Sequence, residues 1–464
     1  MSSRTAAVPA LASELSEADL GDVRLARRLS ALVASISDRP AESFPKALDD
    51  AELEAAYRFF GNERVTPEGI LAPHFRATAK RASQHKDVLV VHDTSQFQFR
   101  GESPREGLGR LVNPGQGFFG HFALAIAADG EREPLGLLSV ETIFRLDSAK
   151  PKNERRAADS RGESARWPRG IEAAESLLDG STRAIHVMDR EADSYPILSC
   201  LHDAARSYVI RSFQDRVLVG ADQQRLRDAA KSAKCSFQRE VPLSHRRAIP
   251  GGPGKRHPAR QGRIARLSFS ATTIEIPRTA TAKAGGASSI RLNVVYVVER
   301  RPPRGEPPVE WFLLTDLPVD SAAQIAFVVD CYRGRWTIEE YFKALKTGCQ
   351  YERRQLESAH SLLNALAVFA PVAWRLLLLR HLARHAPERP ASMALTKTQL
   401  DVLRAVAKRP MVKRPNVKQA MLAVAALGGH LPRNGDPGWL VLGRGMHDLL
   451  LLELGWRARE AAEK

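Results

Sequence analysis

Residues 332–340 read Tyr-Arg-Gly-Arg-Trp-Thr-Ile-Glu-Glu, and Lys346 follows six residues later. In an α-helix, side chains three, seven and fourteen positions apart lie near one face, so Tyr332, Arg335, Glu339 and Lys346 are predicted to share a face. The neighbouring stripe, one residue step away, is apolar and consists of Ile338, Phe342, Leu345 and Cys349. The stretch therefore predicts a half-buried helix that holds a carboxylate between cations, an arrangement suited to work on phosphate.

The composition of the chain favours a polyanionic partner. The chain has 464 residues and a net charge of +16, because 69 Lys and Arg residues face 53 Asp and Glu residues. Its length predicts about three domains, and its charge predicts nucleic acid as the partner. The alternative explanation of the charge is a coding bias towards Arg and Ala.

The cysteines and the apolar segments predict a protein of the cytoplasm with no membrane partner. The four cysteines form no Cys-x-x-Cys pair and are Cys200, Cys235, Cys331 and Cys349. Their spacing argues against a zinc site or a disulfide framework. The N-terminus lacks the pattern of a signal peptide. The stretch Leu362–Leu379 is interrupted by Asn, Pro and Arg, which favours a buried helix over a membrane span.

The N-terminal part is predicted to be helical over residues 14–70. Apolar residues recur there with helical spacing beside Arg24, Arg27 and Arg28, and a second helix fits residues 50–60. Two interpretations are equally compatible with this pattern. One is a small DNA-binding domain, and the other is an ordinary helix pair with a solvated basic face.

The middle of the chain alternates between strand and helix patterns. Buried or alternating strands are predicted at residues 87–92, 118–128, 135–144, 183–188 and 207–211. Asp93 and Asp189 are predicted to stand at the ends of two of these strands. A β-rich insertion is predicted at about residues 213–310, with helices from about residue 321 onwards. This order is typical of a mixed α/β sheet.

Three acids form a candidate metal site, namely Asp93, Asp189 and Glu339. If the two strands are neighbours, their rigid ends bring the aspartates together, and two Mg²⁺ ions would compensate the converging carboxylates. Each acid also has a structural interpretation. An Asp at a strand end is often a turn former or helix N-cap, and Glu339 could form a surface ion pair with Arg335. Glu340 points about 100° away from Glu339 on a helix and is the weaker candidate.

Several segments together carry a resemblance to a known family. The matching segments are Val90–Thr94, Met188–Asp193, Trp311–Thr315, Tyr332–Gly348, Ala56–Phe59 and Leu427–Gly429. The sequence is similar to DDE transposases of bacterial insertion sequences, in the cut-and-paste subgroup marked by a Tyr-x2-Arg-x3-Glu-x6-Lys signature. The resemblance covers nearly the whole chain. His92 departs from it, because an acidic residue is common at that position.

The resemblance implies a ribonuclease H-like catalytic core and specific roles for residues. It makes Asp93, Asp189 and Glu339 the catalytic residues and the ligands of two Mg²⁺ ions, for which Mn²⁺ can substitute. The residues that it assigns to DNA binding are Tyr332, Arg335, Lys346, Trp311 and Arg211. Trp311 would stack on a base flipped out of the duplex, or else be a core aromatic; Arg211 could also be a solvated surface residue. Trp336 is predicted to serve packing.

The same resemblance implies the domain organisation and the partners. The domains are a helical DNA-binding domain at 1–70, a catalytic domain at 71–365 that contains the insertion, and a helical dimerisation domain at 366–464. The fold class is therefore α/β, a ribonuclease H-like mixed-sheet core flanked by helical N- and C-terminal domains. The partners are double-stranded DNA, as transposon-end inverted repeats and as target, and a second copy of the chain in a synaptic dimer.

The implied reaction is cut-and-paste DNA transposition. It comprises hydrolysis at the terminal inverted repeats, formation and opening of a DNA hairpin, and strand transfer into target DNA. Two other functions stay open. One is a catalytically inactive DNA-binding copy that acts as a regulator, and the other is a metal-dependent nuclease of the same fold without strand transfer.

Overall fold

The structure is a computed structural model that describes residues 11–38, 43–101, 104–111, 115–145, 163–220, 224–243, 259–279, 288–407, 410–431, 433 and 435–462. It comprises two compact units. The first unit contains Met1–Val88, Asp93–Thr182 and Trp336–Lys464, and the second contains Leu89–His92 and Arg183–Arg335.

The elements alternate between helix and strand along the middle of the chain. The helices are α1 (Leu11–Leu15), α2 (Val23–Asp38), α3 (Phe44–Ala47), α4 (Asp50–Phe60), α5 (Pro67–Ala82), α6 (Arg166–Glu175), α7 (Tyr195–Asp203), α8 (Leu226–Ser232), α9 (Ala322–Gly334), α10 (Trp336–Lys343), α11 (Ala359–His385), α12 (Lys397–Val406), α13 (Val417–Leu427) and α14 (Trp439–Ala462). The strands are β1 (Asp87–Phe99), β2 (Gly109–Arg110), β3 (Gln116–Ala127), β4 (Pro134–Ile143), β5 (Arg183–Met188), β6 (Ser207–Arg211), β7 (Cys235–Leu243), β8 (Arg263–Pro277), β9 (Ser289–Glu299) and β10 (Glu310–Thr315).

The N-terminal helices of the first unit confirm the predicted helical segment. Helix α4 has the predicted bounds because Asp49 caps its first turn. The Asp49 side chain accepts from the Glu52 amide, and the Glu52 side chain accepts from the Asp49 amide, which forms a capping box. Helix α2 buries four apolar side chains while Arg24, Arg27 and Arg28 stay exposed. Its basic face is therefore available to a partner.

Helix α11 is the core helix of the first unit. It packs against α4, α5, α13 and β4. Its length and mean hydropathy of 1.9 would suffice to cross a membrane, but 89% of its most apolar window is buried inside the protein. The buried Asn364 donates to the carbonyls of Phe60 and Val65 at 2.9 and 3.0 Å, so its amide nitrogen is satisfied. The predicted buried helix is confirmed.

The first unit also contains the predicted hairpin. Strands β3 and β4 pair in antiparallel fashion, with Phe119 opposite Ile143 at one end and Ile126 opposite Pro134 at the other. Strand β1 differs from the prediction, because it continues through Asp93 to Phe99. Asp93 therefore lies inside a strand and not at its end. The sequence does not predict this extension, because the residues after Asp93 are mostly polar and form no apolar run. In the structure the polar ones are half-buried.

The second unit is built on a mixed sheet, as predicted. Its strand order is β1, β5, β6, β10, β9, β8, β7, and β1 takes part through Leu89–His92. Strands β5 and β6 are parallel, whereas β6, β10, β9, β8 and β7 follow one another in antiparallel fashion. The strands of the predicted insertion thus extend this sheet beside β10. The sequence also predicts an irregular basic loop at residues 245–266, rich in Pro and Gly. Residues 245–258 of it lie outside the described residues, and β8 begins at Arg263.

A buried ion cluster joins α1 to the rest of the first unit. Glu14 Oε1 lies 2.6 Å from His74 Nδ1, and Arg81 Nη1 lies 3.1 Å from Glu14 Oε2. Burial alone would raise the pKa of Glu14, but the bond from His74 and the charge of Arg81 outweigh it and lower the pKa to about 2. The Leu137 amide donates to His74 Nε2 at 3.1 Å. His74 is therefore neutral, with its proton on Nδ1.

The buried histidines predict a loss of stability in mild acid. Burial lowers the pKa of His74 below 6.5 and lowers that of His121 to about 3. Below pH 6.5 these histidines therefore bind protons in the unfolded chain but stay neutral in the folded chain. We expect the free energy of unfolding to fall as the pH drops below about 6.5, by about 1.4 kcal/mol per pH unit for each such histidine.

Chemical denaturation at a series of pH values measures this slope. His74→Gln removes one titrating group and is expected to flatten the slope by its share, although the variant is less stable at every pH. A wild-type stability that stays constant between about pH 7 and about pH 5 would contradict the neutral, buried state of these histidines.

Candidate functional site

The signature segment is not one continuous helix, contrary to the prediction. Helix α9 ends at Gly334, Arg335 caps it, and α10 begins at Trp336. Residues Ala344–Gly348 then form a π-helical turn, in which the Cys349 amide donates to the Ala344 carbonyl at 2.8 Å. The wider turn changes the angular spacing, so Lys346 does not follow the regular helical offset from Glu339.

Gly334 lies at the break, where α9 packs closely inside the second unit. A Cβ atom at this position would lie 2.7 Å from Leu89 Cδ1 of strand β1. The Leu89 side chain would have to shift to admit a Cβ atom, so glycine suits the close packing of the end of α9 on the strand. The glycine in the middle of the signature therefore has a packing reason, which the sequence alone did not reveal.

The apolar stripe of the signature is confirmed, but the packing role predicted for Trp336 is wrong. Ile338, Leu345 and Cys349 are fully buried, and Phe342 is 9% exposed. Trp336, which was predicted to serve packing, is 61% exposed. Trp336 is the first residue of α10. The buried stripe of Ile338, Phe342 and Leu345 does not include it.

Glu339 and Glu340 have different surroundings in the first unit. Glu339 is half-buried in the first turn of α10. Glu340 accepts from Lys343 at 2.7 Å and lies 3.3 Å from Arg380. Burial opposes ionisation of Glu340, but Lys343 and Arg380 outweigh it and lower its pKa. Glu340 is therefore engaged in structural ion pairs, in keeping with its weaker candidacy.

Asp93 is held beside a buried polar network in the first unit. Its Oδ1 accepts from the Thr94 amide at 2.8 Å. The Thr94 hydroxyl in turn accepts from Arg166 Nε at 2.8 Å and lies 3.0 Å from His121 Nδ1. Arg166 and His121 are both buried. No sequence pattern indicates either residue, because they come from α6 and β3 and meet Thr94 only through packing.

Asp189 follows strand β5 in the second unit, as predicted. Its side chain also N-caps the short 3₁₀ turn Arg190–Ala192, accepting from the Glu191 amide at 2.9 Å. One residue before Asp93, His92 of β1 places Nε2 2.9 Å from Nδ1 of His186 in β5. This buried pair shows how the chain accommodates the departure at His92. One imidazole donates and the other accepts, so no charge needs to be buried.

Three of the predicted DNA-binding residues meet in the second unit. The Trp311 and Tyr332 rings lie 5.7 Å apart in a T-shaped contact, and Arg211 hydrogen-bonds the Tyr332 side chain. Burial, together with the charges of Arg190 and Arg335, lowers the pKa of Arg211. Tyr332 is only 7% exposed, whereas Trp311 and Arg211 are half-buried. The cluster combines aromatic faces with excess positive charge.

Lys346 lies in a cationic pocket of the first unit. Its Nζ donates to the Gln96 carbonyl and lies 3.6 Å from Glu352. Burial lowers the pKa of Lys346, although Glu352 opposes this shift. The pocket has a volume of about 830 Å³, and the cations that line it are Arg100, Arg105, Lys346, Arg353, Arg354 and Arg444. Such a lining suits a phosphate-bearing ligand.

Asp193 is a structural residue whose importance the sequence did not indicate. Its side chain is fully buried and pairs with Arg216 at 2.5 Å. The same carboxylate accepts from the amides of Phe213 and Gln214 at 2.5 and 2.8 Å. Asp193 thus fastens the loop after β6 to the turn that Asp189 begins, within the second unit.

The donor set can be compared with the needs of a metal ion. Asp93, Asp189 and Glu339 supply carboxylate oxygens, the ligand type that Mg²⁺ prefers. Among the residues that the structure describes, no group of three or more His, Cys, Asp or Glu side chains lies close enough to hold a metal ion. The three side chains fit such an ion in the chemistry of their oxygen atoms.

Two family comparisons match this chain. Residues 8–65 match the transposase DNA-binding family, and residues 168–369 match the transposase DDE domain family. The first match covers α2 with its exposed arginines. The second covers Asp189, Glu339 and all five predicted DNA-binding residues, while Asp93 lies before it. DDE transposase domains generally use divalent metal ions.

Among solved structures, the chain is similar to a piggyBac transposase in a synaptic complex with hairpin DNA, determined by cryo-EM. The two share 9% sequence identity with a TM-score of 0.36, over 81% of this chain and 73% of that chain.

Proposed function

We propose that this chain, a DNA transposase by its transposase DNA-binding and DDE domains, carries out cut-and-paste transposition. The proposed reaction cuts DNA at terminal inverted repeats, forms and opens a hairpin, and joins the ends to target DNA. The observation that carries the proposal is the DDE-domain match, which contains Asp189 at a strand end and Glu339 in the signature segment.

We assign the catalytic triad to Asp93, Asp189 and Glu339. Support comes from the second unit, where Leu89–His92 of β1 and strand β5 are neighbours joined by the His92–His186 pair. Asp93 is the next residue after that part of β1, and Asp189 is the next residue after β5. All three acids are half-buried, so they are positioned by packed backbone and still open to a ligand.

We propose that these carboxylates hold two Mg²⁺ ions, with Mn²⁺ as a substitute. Bound ions would supply an activated water and stabilise the leaving oxygen of the phosphodiester. The protein's own contribution is to hold the acids rigidly. The Thr94 amide fixes the Asp93 carboxylate, and the Glu191 amide fixes that of Asp189.

The proposed DNA contacts divide into phosphate and base contacts. Arg211, Arg335 and Lys346 supply positive charge for the backbone, and Tyr332 fixes Arg211 through its hydrogen bond. Trp311 offers a half-buried ring for a flipped base, since base–aromatic stacking contributes about 1–3 kcal/mol. The exposed Arg24, Arg27 and Arg28 of α2 are further phosphate contacts within the DNA-binding domain.

The remaining assignments follow from the same proposal. We propose a ribonuclease H-like core, domains at 1–70, 71–365 and 366–464, a synaptic homodimer, and a cytoplasmic location at bacterial DNA. Only some apolar residues of α14 are exposed and so able to contact a second copy. Leu442, Met446 and Leu449 are buried within the protein, whereas Leu452 is 40% exposed.

Cleavage of the element's own ends tests the proposed function. Purified protein is mixed with linear DNA that carries the flanking repeats, with and without Mg²⁺. Double-strand cuts at the repeat ends that require the metal ion are expected. Binding without cutting would indicate an inactive copy that acts as a regulator, and cutting without preference for the ends would indicate a nuclease.

Arg211→Ala tests the assignment of a phosphate contact. We expect weaker DNA binding at every sequence, and a plot of log affinity against log salt concentration that flattens by about one unit, because one fewer phosphate is neutralised. Fluorescence anisotropy over a salt series measures both quantities. Arg404→Ala, which removes an arginine paired with Asp401 in the first unit, is the matched control and should leave the slope unchanged.

A further inference from the structure

Arg166 is a buried cation that the proposed function has not used. It is the first residue of α6 and is only 7% exposed. This place is unfavourable for a positive charge, because burial removes it from water and the N-terminal end of a helix is itself partly positive. The first turn of α6 contains no acidic residue that would offset this. The contacts of Arg166 must therefore compensate for its position.

The contacts of Arg166 converge on Thr94 of strand β1. Arg166 Nε donates to Thr94 Oγ1 at 2.8 Å, and Nη1 donates to the Glu163 carbonyl before the helix. The guanidinium carbon also lies 5.3 Å from the centre of the Trp167 ring. Arginine has no acceptor atom, so the Thr94 oxygen accepts in this bond. Arg166 is thus held in place by its own helix while it holds the Thr94 hydroxyl.

His121 contacts the same hydroxyl from strand β3. Its Nδ1 lies 3.0 Å from Thr94 Oγ1, and its ring meets the Trp167 ring in a T-shaped contact with centres 4.7 Å apart. Burial, together with the charges of Arg166 and Arg169, lowers the pKa of His121 to about 3. The Thr94 hydroxyl therefore lies between a fixed cation and a fixed neutral ring.

Thr94 transmits this restraint to Asp93. Successive side chains of a strand project to opposite faces, so the Thr94 hydroxyl and the Asp93 carboxylate lie on opposite faces of β1. The Thr94 amide donates to Asp93 Oδ1 at 2.8 Å. A rotation of Thr94 would turn this amide away, and the carboxylate would lose its hydrogen bond. Arg166 can therefore orient Asp93 from the far face of the strand.

We propose that Arg166 is a positioning residue for the divalent metal ion, which it serves by orienting Asp93 through Thr94. The inference rests on the proposed function, in which Asp93 is a metal ligand. Groups that orient metal ligands typically contribute about 10–100-fold to metal affinity. Charge alone has the opposite effect, because a cation near the site repels a metal ion and its removal would strengthen metal binding.

Binding of Mn²⁺ to the full-length protein without DNA tests this role. The electron paramagnetic resonance signal of free Mn²⁺ measures the affinity. Arg166→Met removes the charge and the donors but keeps a long side chain, and we expect about tenfold weaker binding. Arg169→Met is the matched control in the same helix, where the arginine pairs with Glu141 at the surface, and it should leave the affinity unchanged. Unchanged or stronger Mn²⁺ binding by Arg166→Met would overturn the proposal.

Variants of Thr94 test the route from Arg166 to Asp93. Thr94→Val keeps the shape and removes the hydroxyl, so it should weaken Mn²⁺ binding as much as Arg166→Met does. Thr94→Ser keeps the hydroxyl and should bind Mn²⁺ like the wild type. The double variant of Arg166→Met and Thr94→Val should bind no more weakly than either single variant, because the restraint is already lost. Losses that multiply to about a hundredfold would show that Arg166 does not act through Thr94.

A merely structural role of Arg166 gives a different result. Arg166→Met would then lower the free energy of unfolding in chemical denaturation, whereas the folded variant would bind Mn²⁺ with the affinity of the wild type. That combination would overturn the positioning role. Weaker Mn²⁺ binding by a variant that is fully folded under the assay conditions supports it.

Asp93→Asn separates this inference from the proposed function. If it binds Mn²⁺ as the wild type does, Asp93 is not a metal ligand, and the metal assignment fails together with the role of Arg166. If Asp93→Asn weakens binding and Arg166→Met does not, the metal assignment stands and only the role of Arg166 is overturned. Weaker binding by both variants supports the two proposals together.

Discussion

Glu339→Gln is expected to lower metal-dependent cleavage of the repeat ends by at least about a thousandfold, with DNA binding retained. Glutamine keeps the shape of the side chain but removes the negative charge that a divalent cation needs. Glu339 is half-buried in the first turn of α10, so the substitution leaves the packed stripe of Ile338 and Leu345 untouched. Single-turnover cleavage, with anisotropy for binding, measures the two properties separately.

Glu340→Gln is the matched control for this prediction. It makes the same chemical change at the next residue, where the carboxylate pairs with Lys343 and Arg380. We expect a small loss of stability and cleavage within about threefold of the wild type, since partly exposed ion pairs contribute about 0–1 kcal/mol. If Glu340→Gln abolished cleavage while Glu339→Gln cleaved normally, the assignment of the catalytic glutamate would be wrong.

Asp193→Ala is expected to cause a large loss of stability in the second unit. The variant leaves Arg216 buried without its carboxylate, and it also removes the acceptor for the Phe213 and Gln214 amides. Breaking a buried ion pair by removing one partner costs about 3–5 kcal/mol. Chemical denaturation measures the change, and hydrogen exchange locates it in residues 212–216.

Asp203→Ala provides the comparison for Asp193→Ala. Asp203 lies at the end of α7 in the same unit, and its carboxylate is 52% exposed beside His202. The loss of free energy of unfolding there should stay within about 0.5 kcal/mol, as for most surface substitutions. Similar losses of unfolding free energy for the two variants would mean that the Asp193–Arg216 pair does not stabilise the loop after β6.

The sequence predicted the local elements well, for local reasons. Helix α4 has its predicted bounds because Asp49 and Glu52 are three residues apart and cap each other. Strands β5 and β6 have their predicted bounds because short apolar runs end at charged residues. The hairpin of β3 and β4 follows from two apolar runs separated by Asp129 and Gly130. Each signal lies within a few residues of the element that it specifies.

The candidate site was predicted in part. The resemblance supplied the three acids and the five DNA-binding residues, and the DDE-domain match contains seven of these eight positions, all but Asp93. Whether the residues act as assigned remains a prediction. The supporting residues were not predictable, because Arg166 reaches Thr94 across 72 residues of sequence and Arg216 reaches Asp193 across 23.

By itself the sequence determined most of the helices and strands, the mixed α/β class and the similarity to transposase DNA-binding and DDE domains. These depend on apolar periodicity, capping residues and short motifs, all of which are written in neighbouring positions. Only the tertiary structure decided that β1 runs through Asp93, that the signature helix breaks at Gly334 and widens at Ala344–Gly348, and that Trp336 and Phe213 are exposed. Those features depend on which distant side chains pack or pair, and a helical or strand pattern carries no information about that choice.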